Sequence, residues 1–175
     1  MGKVLIVVDY QKDFVDGALG FPGAERLAPG IAAKVEQYLG EGCPVIFTLD
    51  THEANYLETR EGRHLPVPHC LKGSDGWRLY GPLARYMDER RDGVLMCPKY
   101  AFGAQNYGFL KEYNPTSIEL VGLVTNLCVI SNAVVLQTQY PQAEILVDSS
   151  LCDSYDRELH QKALDVMRGM QMQVF

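Results

Sequence analysis

A three-layer α/β/α fold around a mostly parallel, doubly wound sheet is what this sequence predicts, and three observations predict it. Short apolar runs rich in β-branched residues alternate with segments of helical spacing along all 175 residues, the pattern of successive βα units. The first run, residues 4–8, is apolar without a break, as in a strand buried on both faces. Polar residues stand where such runs end, and in open α/β sheets the carboxyl ends of the strands form the ligand-binding edge.

Residues 4–8 read as the first strand. Leu27, Ile31, Val35 and Leu39 then recur at the spacing of one helix face, predicting a helix over about 25–39. Residues 44–49 read as the second strand, 82–89 as a short helix and 94–97 as the third strand. A fourth strand over 118–123 leads into a helix from about 126 to 139. Residues 145–147 give a fifth strand, 158–170 a last helix, and 172–175 an edge strand. The stretch 51–80 is irregular and too long for an ordinary connection, and loops of that length are usually functional. It holds three of the four histidines and the only tryptophan, Trp77.

No linker, repeat or low-complexity segment divides the chain, so one domain over 1–175 is expected. A composition of 47% hydrophobic and 22% charged residues is that of a globular protein. No run reaches the roughly 18 apolar residues of a membrane span, and the N-terminal run is too short for a signal peptide, so a cytoplasmic protein is expected. The net charge of −6 and the absence of a basic tract argue against nucleic acid as a partner. Five cysteines without a C-x-x-C pair argue against a disulfide framework and a zinc knuckle.

Asp9 ends the first strand, Asp50 the second, Lys99 follows the third, and Cys128 lies just past the fourth at the start of a helix. Singly, Asp9 reads as a turn cap, Lys99 as a surface charge and Cys128 as a small buried hydrophobe. Together they supply a base, an electrostatic support and a nucleophile. A helix N-terminus and a nearby ammonium both lower a thiol's pKa, and a carboxylate in reach can take its proton. Asp148, Ser149, Ser150 and Asp153 read as turn and cap residues before the last helix. Cys43, Cys97 and Cys152 read as core thiols, and His160 as a helix-surface residue.

Several segments carry a resemblance to a known family. Asp9-Tyr10-Gln11-Lys12-Asp13-Phe14, Thr48-Leu49-Asp50-Thr51-His52, Pro68-His69-Cys70, Lys99 with Phe102, and Gly122-Leu123-Val124-Thr125-Asn126-Leu127-Cys128-Val129 occur in this order. They resemble the motifs of the isochorismatase-like cysteine hydrolases, in particular the nicotinamidase branch. The resemblance implies the isochorismatase-like hydrolase fold and a catalytic triad of Asp9, Lys99 and Cys128. It also implies a cis peptide between Leu123 and Val124, aiming the Val124 N–H, beside that of Cys128, at a developing oxyanion. Asp50, His52 and His69 match the branch's metal ligands, with Glu61, and less so Glu58, as a candidate fourth. Carboxylate and imidazole suit Zn²⁺, and also Fe²⁺ or Mn²⁺; no organic cofactor is expected.

The implied function is hydrolysis of a small carboxamide, nicotinamide first, through a cysteine thioester, by a homodimer or tetramer. Other amides, including carbamoyl amides, and a catalytically idle binding or assembly protein are the alternatives. One position departs from the pattern. Nicotinamidases commonly carry a tryptophan that stacks on the pyridine ring where this chain has Pro66. Phe14 and Leu19 are the expected pocket walls, with Tyr107 or Phe102 as candidate ring contacts.

Overall fold

Apolar strand residues of alternating orientation build two cores, one on each side of a single sheet. In the computed structural model, which describes residues 2–175, the strands are β1 (Lys3–Val8), β2 (Val45–Asp50), β3 (Val94–Lys99), β4 (Ser117–Leu123), β5 (Glu144–Asp153) and β6 (Gln173–Val174). Their order is β3-β2-β1-β4-β5-β6, with every neighbouring pair parallel. The helices are α1 (Lys12–Val15), α2 (Ala28–Gly40), α3 (Arg60–His64), α4 (Arg85–Asp88), α5 (Ile130–Gln139) and α6 (Arg157–Gly169).

Central strand β1 explains the layering. Leu5 and Val7 pack with Ile31, Val35 and Tyr38 of α2. Val4, Ile6 and Val8 point to the opposite face, toward Ala133 and Leu136 of α5 and Leu164 and Met167 of α6. Parallel strands need crossover connections, and the helices on both faces supply them. This is the three-layer doubly wound architecture expected from the alternation of runs.

The order of the strands reverses between β1 and β4, and there Gly122 faces Val8 with no room for a side chain. Gly122 has φ of +119°, and a Cβ on it would lie 2.1 Å from the Val8 carbonyl oxygen. Only glycine permits both that conformation and that approach.

Several elements differ from expectation. The helix expected from 126 begins as a π-helical turn, Thr125–Val129, before α5. Both expected helices over 25–39 and 82–89 open with a 3₁₀ turn, Ala24–Leu27 and Gly81–Ala84. The irregular stretch contains a 3₁₀ turn, Tyr56–Glu58, and α3.

The largest difference is β5, which continues to Asp153 beyond a register shift opposite Leu120 and Gly122. Asp148, Ser149 and Ser150 therefore lie within a strand and do not turn toward α6. Asp148 is satisfied there by Lys34 of α2 at 2.6 Å and by the Ser150 N–H and hydroxyl at 3.0 and 2.6 Å. The N-cap of α6 is instead Asp156, which accepts from the Leu159 N–H at 2.9 Å.

Candidate active site and metal centre

The crevice at the strand-order reversal receives one polar side chain from each of four strand ends. Asp9 follows β1 with φ of +43°, a conformation sparsely populated by residues other than glycine. Thr48 of β2 holds it from both sides. The Asp9 N–H donates to Thr48 Oγ1 at 3.1 Å, and the Thr48 hydroxyl donates to Asp9 Oδ1 at 2.6 Å. Lys99, the last residue of β3, is buried completely along its side chain. Cys128 lies in the π-helical turn, where the Leu127 and Val129 N–H groups both donate to the Val124 carbonyl at 3.1 Å. The Leu123–Val124 peptide is cis.

Lys99 Nζ donates to Asp50 Oδ1 at 3.0 Å, to the Ala101 carbonyl at 2.9 Å and to Cys128 Sγ at 3.6 Å. These three acceptors use its three N–H bonds. Asp9 Oδ2 lies 2.7 Å from the same nitrogen and is held by charge. Among the described residues, this oxygen is the one fully buried side-chain polar atom with no hydrogen-bond partner.

Burial pushes the Cys128 thiol well above its ordinary value; Lys99 pulls it down, while Asp9 and Asp50 add to the rise. The expected lowering by Lys99 and the helix terminus is thus outweighed, because the thiol is buried between two carboxylates. Burial also raises Asp9 against the pull of Lys99. Lys99 itself would be lowered by burial, but Asp9, Cys128 and Asp50 outweigh that and keep it charged. Burial thus favours the protonated form of the thiol and weakens the hold of Asp9 on its charge, while Lys99 stays an ammonium.

Beside this group, Asp50, His52, Glu61 and His69 bring four ligand atoms within 4.8 Å of one another. His52 Nε2 lies 3.0 Å from Asp50 Oδ2 and 3.8 Å from Glu61 Oε1. His69 Nε2 lies 3.5 and 3.8 Å from the same two oxygens. Bonds of about 2.1 Å in tetrahedral geometry give ligand–ligand edges of roughly 3.4 Å, so the donor set fits a divalent cation. His69 Nδ1 faces the Val67 carbonyl at 2.8 Å, which leaves Nε2 as the ligating atom. Glu61, a candidate fourth ligand on sequence grounds, takes its place in the cluster.

The long loop is pinned by residues of the opening motif. The Gln11 amide donates to the Asp50 and Trp77 carbonyls at 3.0 and 2.8 Å and accepts from the Asp50 N–H at 2.8 Å. Asp13 accepts from the Cys70 N–H at 2.7 Å, immediately after His69. The His52 N–H donates to the Cys70 carbonyl at 3.0 Å, bringing the two histidines together.

Cys128, Val124, Asp50, Glu61 and His69 open onto one cavity of about 420 Å³. Phe14 and Leu19 line it as expected, with Phe102. Tyr107 does not: it is fully buried, and its hydroxyl donates to Asn132 at 2.6 Å. Leu65 and Tyr155 complete the wall, and neither carried a sequence signal. Pro66 is exposed and outside this lining. His160 is half-buried, not on the helix surface, with Nδ1 2.8 Å from the Thr125 hydroxyl. Cys43 and Cys152 are buried, whereas Cys97 is half-buried on edge strand β3.

A doubly wound sheet thus brings a buried thiol, ammonium and carboxylate to its switch point beside a candidate divalent metal site. Residues 3–175 match the protein-family model described as Isochorismatase domain. The chain is 30% identical over 174 residues to the "Uncharacterized isochorismatase family protein PncA" of Bacillus subtilis (strain 168), covering 94% of this chain and 93% of that one. The crystal structure of nicotinamidase/pyrazinamidase PncA from Bacillus subtilis superposes with a TM-score of 0.88 at 28% identity, over 99% of each chain. That of the pyrazinamidase/nicotinamidase from Streptococcus mutans UA159 gives 0.89 at 29% identity, over 99% of this chain and 100% of that one. The chain belongs to the isochorismatase family.

Proposed function

We propose that this protein is a cysteine-dependent amidohydrolase of small carboxamides, converting nicotinamide to nicotinate and ammonia. The observation that carries the reading is Asp9 Oδ2, fully buried 2.7 Å from the Lys99 ammonium, whose own nitrogen lies 3.6 Å from the Cys128 sulfur. A base needs a free lone pair in reach of its proton. Asp9 takes the thiol proton, and the Cys128 sulfur attacks the amide carbonyl. The Val124 and Cys128 N–H groups stabilise the oxyanion, a contribution worth about 10²–10³ in rate per donor. Asp9 returns the proton to the leaving nitrogen and ammonia departs. A water then attacks the thioester, giving its proton to Asp9, and the acid leaves with the thiol restored. Lys99 keeps Asp9 ionised and balances the thiolate as it forms.

Asp50, His52, His69 and Glu61 would hold a divalent cation, with zinc favoured by the imidazole pair, and the cation would supply Lewis acidity toward a ring nitrogen of the substrate. The cavity's apolar wall of Phe14, Leu19, Leu65 and Phe102 suits a single flat ring. The relatives at 28% and 29% identity that are named nicotinamidases and pyrazinamidases support this substrate class. A second reading, a non-aromatic carbamoyl amide, is favoured by Pro66, which stands where nicotinamidases commonly carry a stacking tryptophan and lies outside the cavity lining.

Ammonia release from nicotinamide, pyrazinamide and a carbamoyl amide, each with Cys128→Ala as control, tests both readings. Release from the two ring amides that disappears in the variant is the expected result. Release from the carbamoyl amide alone selects the second reading, and release that survives Cys128→Ala overturns the mechanism.

A further inference from the structure

We infer that His160 is a positioning residue for the nucleophile turn, acting through Thr125. The inference rests on the proposed cysteine mechanism and adds to it an element, the β5–α6 corner, that touches neither the thiol nor the metal ligands. Thr125 is fully buried and sits between Val124 and Asn126 at the start of the π-helical turn. Its hydroxyl donates to the Asp153 carbonyl at the end of β5, 3.0 Å away. A hydroxyl has one proton to give, so toward His160 Nδ1, 2.8 Å away, Thr125 Oγ1 accepts. That fixes the hydrogen of the imidazole on Nδ1.

A second tie runs beside it. The Ser154 hydroxyl donates to Asn126 Oδ1 at 2.6 Å. The corner is itself held, since Asp153 Oδ1 accepts from the Ser154 N–H and from Arg157, both at 2.8 Å. These ties matter because the turn's own backbone bonding is irregular, with two N–H groups sharing the Val124 carbonyl. π-helical turns are often found at functional sites, where they set side chains that a regular helix would not. Here Thr125 begins the turn, Val124 precedes it and Cys128 ends within it. The side chains from the β5–α6 corner fix where the sulfur and the two N–H groups point. A displacement of about 1 Å at such a site can cost on the order of 10²-fold in rate.

The test compares His160→Leu, which removes the donor, with His160→Asn, whose amide N–H can stand where Nδ1 stands. With nicotinamide, His160→Leu is expected to lower kcat by about 10–100-fold with KM within about twofold. His160→Asn is expected to recover most of the loss. Alkylation of Cys128 by iodoacetamide, read by peptide mapping, gives a second readout that needs no substrate, and His160→Leu should slow it. If His160→Leu does not fold, Thr125→Val removes this bond together with the one to the Asp153 carbonyl and should lower kcat and the alkylation rate at least as much. Wild-type kcat and alkylation rate in His160→Leu would overturn the inference, as would equal losses in the Leu and Asn variants. If the wild-type protein hydrolyses no amide, the proposed function fails on its own, and the alkylation rates alone decide the role of His160.

Discussion

Replacing Lys99 by Met removes one ammonium and leaves two carboxylates in the interior. Asp9 Oδ2 and Asp50 Oδ1 lie 2.7 and 3.0 Å from its nitrogen. At an effective dielectric of about 20, each contact corresponds to roughly 6 kcal/mol of Coulomb attraction before desolvation. Desolvation offsets most of that attraction, but truncating one partner of a buried pair still costs about 3–5 kcal/mol, because the remaining charge is unpaired. With a urea m-value of about 2 kcal/mol/M, the unfolding midpoint of metal-free Lys99→Met should fall by roughly 2 M. Adding Asp9→Asn should recover part of the stability, since one stranded charge is gone, and none of the activity. A Lys99→Met midpoint equal to wild type would refute the reasoning, because Asp9 and Asp50 would then cost nothing without Lys99, as they would if they took up protons.

Other consequences follow from the geometry. His69→Ala should abolish stoichiometric zinc binding measured by metal analysis after dialysis, while Glu61→Ala, which keeps both imidazoles and Asp50, should weaken affinity by about 10–100-fold. Gly122→Ala forces a Cβ against the Val8 carbonyl at 2.1 Å in a left-handed conformation, and should leave the protein insoluble or unfolded by circular dichroism. Burial alone would raise Asp148, but Lys34 and Ser150 outweigh it and hold the carboxyl below its ordinary value. Its contribution is present above the unfolded value near about 4 and is lost as pH falls through the lower folded value. Asp148→Asn should therefore flatten the drop in urea midpoint between about pH 5 and pH 3.

The sheet was legible because strand burial leaves local marks. Val4 to Val8 are apolar without a break, and Asp9, Asp50, Lys99 and Cys128 stand where strands end, so topology alone places them on one edge. What stayed hidden depends on partners distant in sequence. Polar Asp148 stays inside β5 only because Lys34 reaches it from α2, 114 positions away. Tyr155 and Leu65 enter the cavity because of where the β5–α6 corner and the long loop fold back. His160 looks like a surface residue until Thr125, 35 positions earlier, is found against its ring. The thiol's raised pKa was equally hidden, since the helix terminus and Lys99 both suggest the opposite, and burial, with Asp9 and Asp50 beside it, reverses the sign.

The central claim is that Cys128 carries the acyl group between the amide and water. Rapid acid quench of the enzyme turning over nicotinamide, followed by peptide mass mapping, examines it directly. The account predicts a nicotinoyl thioester on the peptide containing Cys128 and on no other cysteine peptide. Steady ammonia release from a Cys128→Ala variant, or an acyl group found on Cys70 or Cys97 instead, would contradict it.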